Sequence, residues 1–137
     1  MAAYVKYNCG AETIAEFATG TDVYKVALTN TAPNVATHTV LANITEIAGG
    51  GGYTAGGNAP AITSSSQAAG VYKLVLADTV FTATTGFGPF QYAVIYNSTQ
   101  AGGPLVAYHA YPTPLTLLAG ETFTWDADPT TGLFTIT

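Results

Sequence analysis

VYKLVLADTVFTATTGFGPFQYAVIYN, residues Val71–Asn97, is the stretch whose reading decides the fold. Tyr72, Leu74 and Leu76 fall on one side of an extended chain, and Val71, Lys73 and Val75 on the other. This period of two marks a half-buried strand. Asp78 marks a bend, after which VFTAT (80–84) continues extended. TGFGP (85–89) has turn chemistry. Phe90, Tyr92, Val94 and Tyr96 then line one face of a further strand, opposite Gln91, Ala93 and Ile95. Burying aromatic side chains of this size contributes roughly 2–3 kcal/mol each, so the core is expected here. The three segments read as neighbouring strands of one sheet.

Upstream, Ala3–Asn8 alternates as a short strand. In AETIAEFA (Ala11–Ala18), Ile14, Phe17 and Ala18 share a helical stripe with Glu12 and Glu16 opposite, which predicts one short helix. Its acids read as a solvated face near a helix N-terminus. DVYKVALTN (22–30) alternates again, TAPN (31–34) turns, and 35–47 mixes extended and helical signals. GGGGYTAGG (49–57) holds four consecutive glycines, which lose the most entropy on ordering. It has neither a P-loop lysine nor a GxGxxG opening a helix, so phosphate binding is disfavoured. The expectation is a flexible loop or arm at about 48–58 that orders against a neighbouring subunit. Gly49, Gly50, Gly51, Gly52 and Tyr53 are its candidate interaction residues.

Downstream, LVAYHAY (105–111) is another strand, and Pro112 and Pro114 place its end at an edge or corner. ETFTWD (121–126) and LFTIT (133–137) read as a final hairpin across ADPTTG. About nine short strands with frequent turns describe an all-β chain. The expected fold is one domain over residues 1–137, a β-sandwich or jelly-roll-like barrel with one short helix near the N-terminus.

Charged residues make up 8% of the chain, against roughly 25% in an average globular domain. Lys6, Lys25 and Lys73 are the only basic side chains besides histidine, and the net charge of −5 disfavours a nucleic-acid partner. Mean hydropathy is +0.29, yet Thr, Asn, Ser or Gly interrupts every apolar run short of the about 20 residues that span a membrane. MAAYVKYNCG lacks the features of a signal peptide, so a soluble protein kept in the cytosol is expected. So little charge, with aromatics at 12%, points to an exterior covered by partners.

Chemistry is poorly represented. Cys9 is the one cysteine and reads as a small apolar residue. His38 lies in a Thr-rich loop and His109 in an aromatic strand, neither in a catalytic motif. Asp126-Ala127-Asp128 begins like a calcium loop, but Thr131 stands where the loop glycine belongs and no glutamate follows at the twelfth place. The expectation is a non-enzyme with no catalytic residue, cofactor, metal or small-molecule substrate.

Several segments together resemble a family of small virion structural proteins of tailed bacteriophages. They are KVALTNTAPN (25–34), THTVLANITEI (37–47), GGYTAGG (51–57), ITSSSQ (62–67), GVYKLVLADTVFTA (70–83), GPFQYAVIYN (88–97) and GETFT (120–124). The likeness covers most of the chain and is weakest at 9–21 and 108–114. It implies a particle component, assembled in the host bacterial cytoplasm, whose partners are copies of itself, as a homotrimer, and the major capsid protein or another virion protein. A capsid decoration (cement) role is the leading expectation, and a neck, tail or tail-fibre component the alternative. A carbohydrate-binding module, with exposed Tyr, Trp125 and Asn stacking on sugar, is a third.

Overall fold

The computed structural model describes residues 2–9 and 22–136, which are antiparallel β structure almost throughout. Nine strands follow in order: β1 (Ala3–Lys6), β2 (Tyr24–Thr29), β3 (Ile62–Ala68), β4 (Val71–Leu76), β5 (Thr79–Thr82), β6 (Gly86–Asn97), β7 (Leu105–Leu118), β8 (Thr122–Trp125) and β9 (Phe134–Ile136). A single 3-10 turn, Leu41–Asn43, lies between β2 and β3. The helix expected over Ala11–Ala18 falls outside the described residues.

The largest sheet has the order β1-β7-β6-β2, the second β3-β4-β9, and β5 pairs with β8. Within the four-stranded sheet β2, the second half of β6 and the first half of β7 are buried on both faces, which explains their nearly unbroken apolar runs. On one face the row Leu28, Ala93, His109 and Tyr4 lies beside the row Val26, Ile95, Ala107 and Lys6. This face packs with Leu74, Leu76, Phe81, Trp125 and Phe134 into the main core. On the other, Ala27, Val94, Tyr96 and Leu105 pack with Tyr7 and Ile44, and Leu41 lies against them. Aromatic rings chain through the main core: Tyr53, Phe87, Phe90, Phe123 and Tyr111 lie in sequential contact, with ring centroids 5.0–6.1 Å apart.

Three expectations are corrected by the topology. The segments of 71–97 do not share a sheet: β4, β5 and β6 belong to three different ones. ETFTWD and LFTIT form no hairpin, because β8 pairs with β5 and β9 with β4. Strand alternation alone does not specify a partner, and here the intervening turn is closed by Asp128 and steers the chain away. TGFGP is not a turn; it lies mostly within the start of β6.

There β6 carries an extra residue against β7 between Phe87 and Phe90, around the cis Gly88–Pro89 peptide. A second irregularity, between Phe90 and Tyr92, coincides with Pro112 and Pro114 on β7. The slip reverses the side of Phe90. It joins Ala93 and Ile95 in the main core, while Val94 and Tyr96 pack on the opposite face.

Candidate interaction surfaces

The Gly-rich segment is a loop folded against its own chain, not an arm. Gly50 and Tyr53 exchange backbone hydrogen bonds of 2.8 and 3.1 Å, closing a tight turn on Gly51 and Gly52. The Gly51 carbonyl accepts from the amides of Thr84, Thr85 and Gly86. A Cβ on Gly51 would stand 1.8 Å from the Gly86 carbonyl oxygen, and Gly51 has φ +67, so only glycine fits. Val26 and Asn58 exchange a further backbone pair, and Ile47 donates to Leu28, so 46–58 covers the outer edge of β2.

Tyr53 is the pin. Its ring is 3% exposed and packs on Phe81 and Phe87. Its hydroxyl accepts from the Leu28 amide at 3.0 Å and donates to Glu46 Oε1, which also accepts from the Gly56 amide. Burial, followed by the bond to Glu46, pushes the phenol well above its ordinary range. Of the five expected interaction residues, Gly49, Gly50 and Gly52 are exposed, Gly51 is half-buried and Tyr53 is core.

The two histidines lie in separate settings. His38 belongs to a local turn: its Nδ1 accepts from the Asn34 amide and its own amide donates to the Asn34 carbonyl. His109 is buried on β7, with Trp125 Nε1–H donating to its Nδ1 at 2.9 Å. Indole nitrogen can only donate, so the neutral ring must carry its proton on Nε2. Burial holds the imidazole below its ordinary value, with the Asp126 charge pulling weakly the other way. Trp125 is 2% exposed, so it is not the exposed ring expected for stacking on sugar.

The sign of the pH effect follows. Above the ordinary histidine value of about 6.5, folded and unfolded chains both hold a neutral imidazole. Below it the unfolded chain takes up a proton that the folded one resists, so stability falls as pH drops through the lowered folded value. Thermal melts from about pH 7 down to about pH 5 should show a steeper fall for the native protein than for His109→Gln, whose amide can still accept from Trp125. Equal slopes would remove His109 as the titrating group.

Asp128 closes its own turn. Asp128 Oδ1 accepts from the Thr130 and Thr131 amides and Oδ2 from the Thr131 hydroxyl, bonds that favour the carboxylate and hold its pKa below the ordinary value. Among the described residues, no group of three or more His, Cys, Asp or Glu is placed to hold a metal ion. No described helix is long and apolar enough to cross a membrane.

Two surfaces stand out that sequence reasoning did not assign. On β5 and β8, Phe81, Phe123 and Trp125 face inward, so Val80, Thr82, Thr122 and Thr124 form an outward face without a charge. Their alternation with the aromatics was the available signal. Beside it Leu118 is 66% exposed. The second is the hairpin of β3 and β4, closed by Ala69 and Gly70 with φ of 52° and 81°, as a two-residue type I′ turn requires. Residues 65–71 are exposed on both sides of this hairpin, Ser, Gln, Ala and Val.

A cavity of about 370 Å³ opens where β1 meets the second sheet, walled by Tyr4, Lys6, His109, Trp125, Phe134 and the 127–133 turn. No family model, curated protein or solved structure matches this chain.

Proposed function

We propose that this protein is a structural subunit of a tailed-phage particle, a decoration protein that coats the outer capsid as a small oligomer and stabilises it. The likeness of segments such as KVALTNTAPN (25–34) and GPFQYAVIYN (88–97) to small virion proteins motivates the particle. The observation that carries the reading is the charge-free outward face of Val80, Thr82, Thr122 and Thr124; the turn into β8 adds exposed Leu118, whose amide donates to the Glu121 carboxylate. Hydroxyl and aliphatic side chains on a rigid strand pair suit burial against protein, since interface centres are depleted in charge. The β3–β4 hairpin adds an exposed projection with no charge from Ser64 to Tyr72. In this reading the four-stranded sheet and the β3-β4-β9 and β5-β8 strands facing it are the two layers of a β-sandwich, jelly-roll-like in its crossings between layers.

Sedimentation velocity on the purified chain is expected to show a trimer or another small ring. A monomer persisting at high concentration would count against the proposal. Copy number in the purified particle then separates the roles. Hundreds of copies identify a capsid coat, whereas six or twelve, the multiplicity of a neck or tail ring, overturn decoration in favour of that alternative.

A further inference from the structure

We propose that the cavity between β1, β7 and the 127–133 turn binds a carboxylate group borne on a small apolar body. Its volume of about 370 Å³ lies at the lower end of the about 300–1,000 Å³ typical of ligand pockets. Tyr4, Leu76, Trp125, Leu133 and Phe134 supply apolar walls. The polar groups decide the ligand's charge. His109 Nδ1 is occupied by Trp125, which leaves Nε2–H as the ring's donor. Among the described residues the Tyr7 hydroxyl is the one buried side-chain polar atom without a partner, so Nε2–H is not sealed into the core, and His109 is part of the cavity lining.

Lys6 is the one lysine of the lining and shares a sheet face with Tyr4 and His109. The lining also holds one acid, Asp128. Its oxygens already accept three hydrogen bonds from Thr130 and Thr131, and it lies within the field of Lys73. Besides the hydroxyls of Tyr4, Thr131 and Thr135, the lining carries one ammonium and one imidazole N–H beside aromatic walls, the complement of a carboxylate. The occupant is a bound ligand, not a substrate, and the site stands whether or not the chain coats a particle.

Benzoate and its neutral isostere benzamide are the first probes, followed on the native protein by the NMR signal of the indole N–H of Trp125, the chain's single tryptophan. Benzoate should shift that signal saturably at millimolar concentration while benzamide leaves it in place. Lys6→Gln should weaken benzoate by about tenfold or more without lowering the melting temperature. The source of the carboxylate is separated by acetyl-Gly-Phe with a free C-terminus against its C-terminal amide. Tighter binding of the peptide acid than of benzoate assigns the site to a polypeptide terminus, and the reverse to a free organic acid; both support the proposal. Equal shifts with benzoate and benzamide, no shift with any of the four probes, or unchanged benzoate affinity in Lys6→Gln overturns it.

Discussion

Gly57→Ala is expected to abolish or nearly abolish folding, although it adds one methyl group to a loop. A Cβ at position 57 would lie 1.8 Å from the Val26 carbonyl oxygen and 2.5 Å from its carbon, with φ at +81. No rotamer relieves this, because the obstacle is the backbone of β2 itself. Retreat of the loop would break the paired bonds between Val26 and Asn58 and loosen Glu46 and Tyr53 from Gly56 and Leu28. A loss of about 4 kcal/mol or more is expected, in the range reserved for clashes in packed structure. Gly70→Ala supplies the control. Gly70 has the same φ of +81 and nothing within 4 Å of the added carbon, so it isolates the backbone term of about 1–2 kcal/mol. Urea midpoints of the two variants give the difference directly. Similar midpoints would mean that the 49–57 loop moves freely and does not lock the edge of β2.

That contrast shows how much of the molecule was legible in its sequence. Alternation located β2, β4 and β8, because a period of two needs only local information, but it ended β7 at Tyr111, whereas the strand runs on through Pro112 and Pro114 to Leu118. Partners were not legible. β8 lies opposite β5 and β9 opposite β4, choices made by long-range packing of Phe81, Trp125, Leu74 and Phe134 in one core. Gly88-Pro89 has the chemistry of a turn, yet it marks an irregularity inside a continuous strand, since glycine and proline signal any departure from a regular ladder. The glycine run was misleading for a related reason. Four glycines look mobile in isolation, but Gly51 and Gly57 are glycine because other backbone comes within contact distance. The cavity was least legible of all: Tyr4, His109 and Trp125 come from three strands, and no spacing along the chain brings them together.

Trp125→Ala should cost about 3–5 kcal/mol, and Trp125→Phe about 1–3 kcal/mol, for different reasons. Alanine removes the ring that fills the space between β8 and β7 and leaves a void beside Leu76, Ala127 and Phe134. Phenylalanine keeps most of that volume but has no N–H, so His109 Nδ1 loses its donor. Two measurements separate volume from hydrogen bond. Denaturation midpoints rank native, phenylalanine and alanine forms in that order. Nitrogen chemical shifts of the His109 ring should report a proton held on Nε2 in the native protein and a mixed population in Trp125→Phe, where the indole no longer selects the tautomer. If Trp125→Phe leaves both the midpoint and the tautomer unchanged, the indole contributes bulk alone. The polar edge of the cavity would then not be set by β8, and His109 would need another orienting partner. If the tautomer mixes as expected, the same bond that stabilises the core also keeps the proton on Nε2 of a ring that lines the cavity. Core packing and ligand recognition would then rest on one pair of side chains.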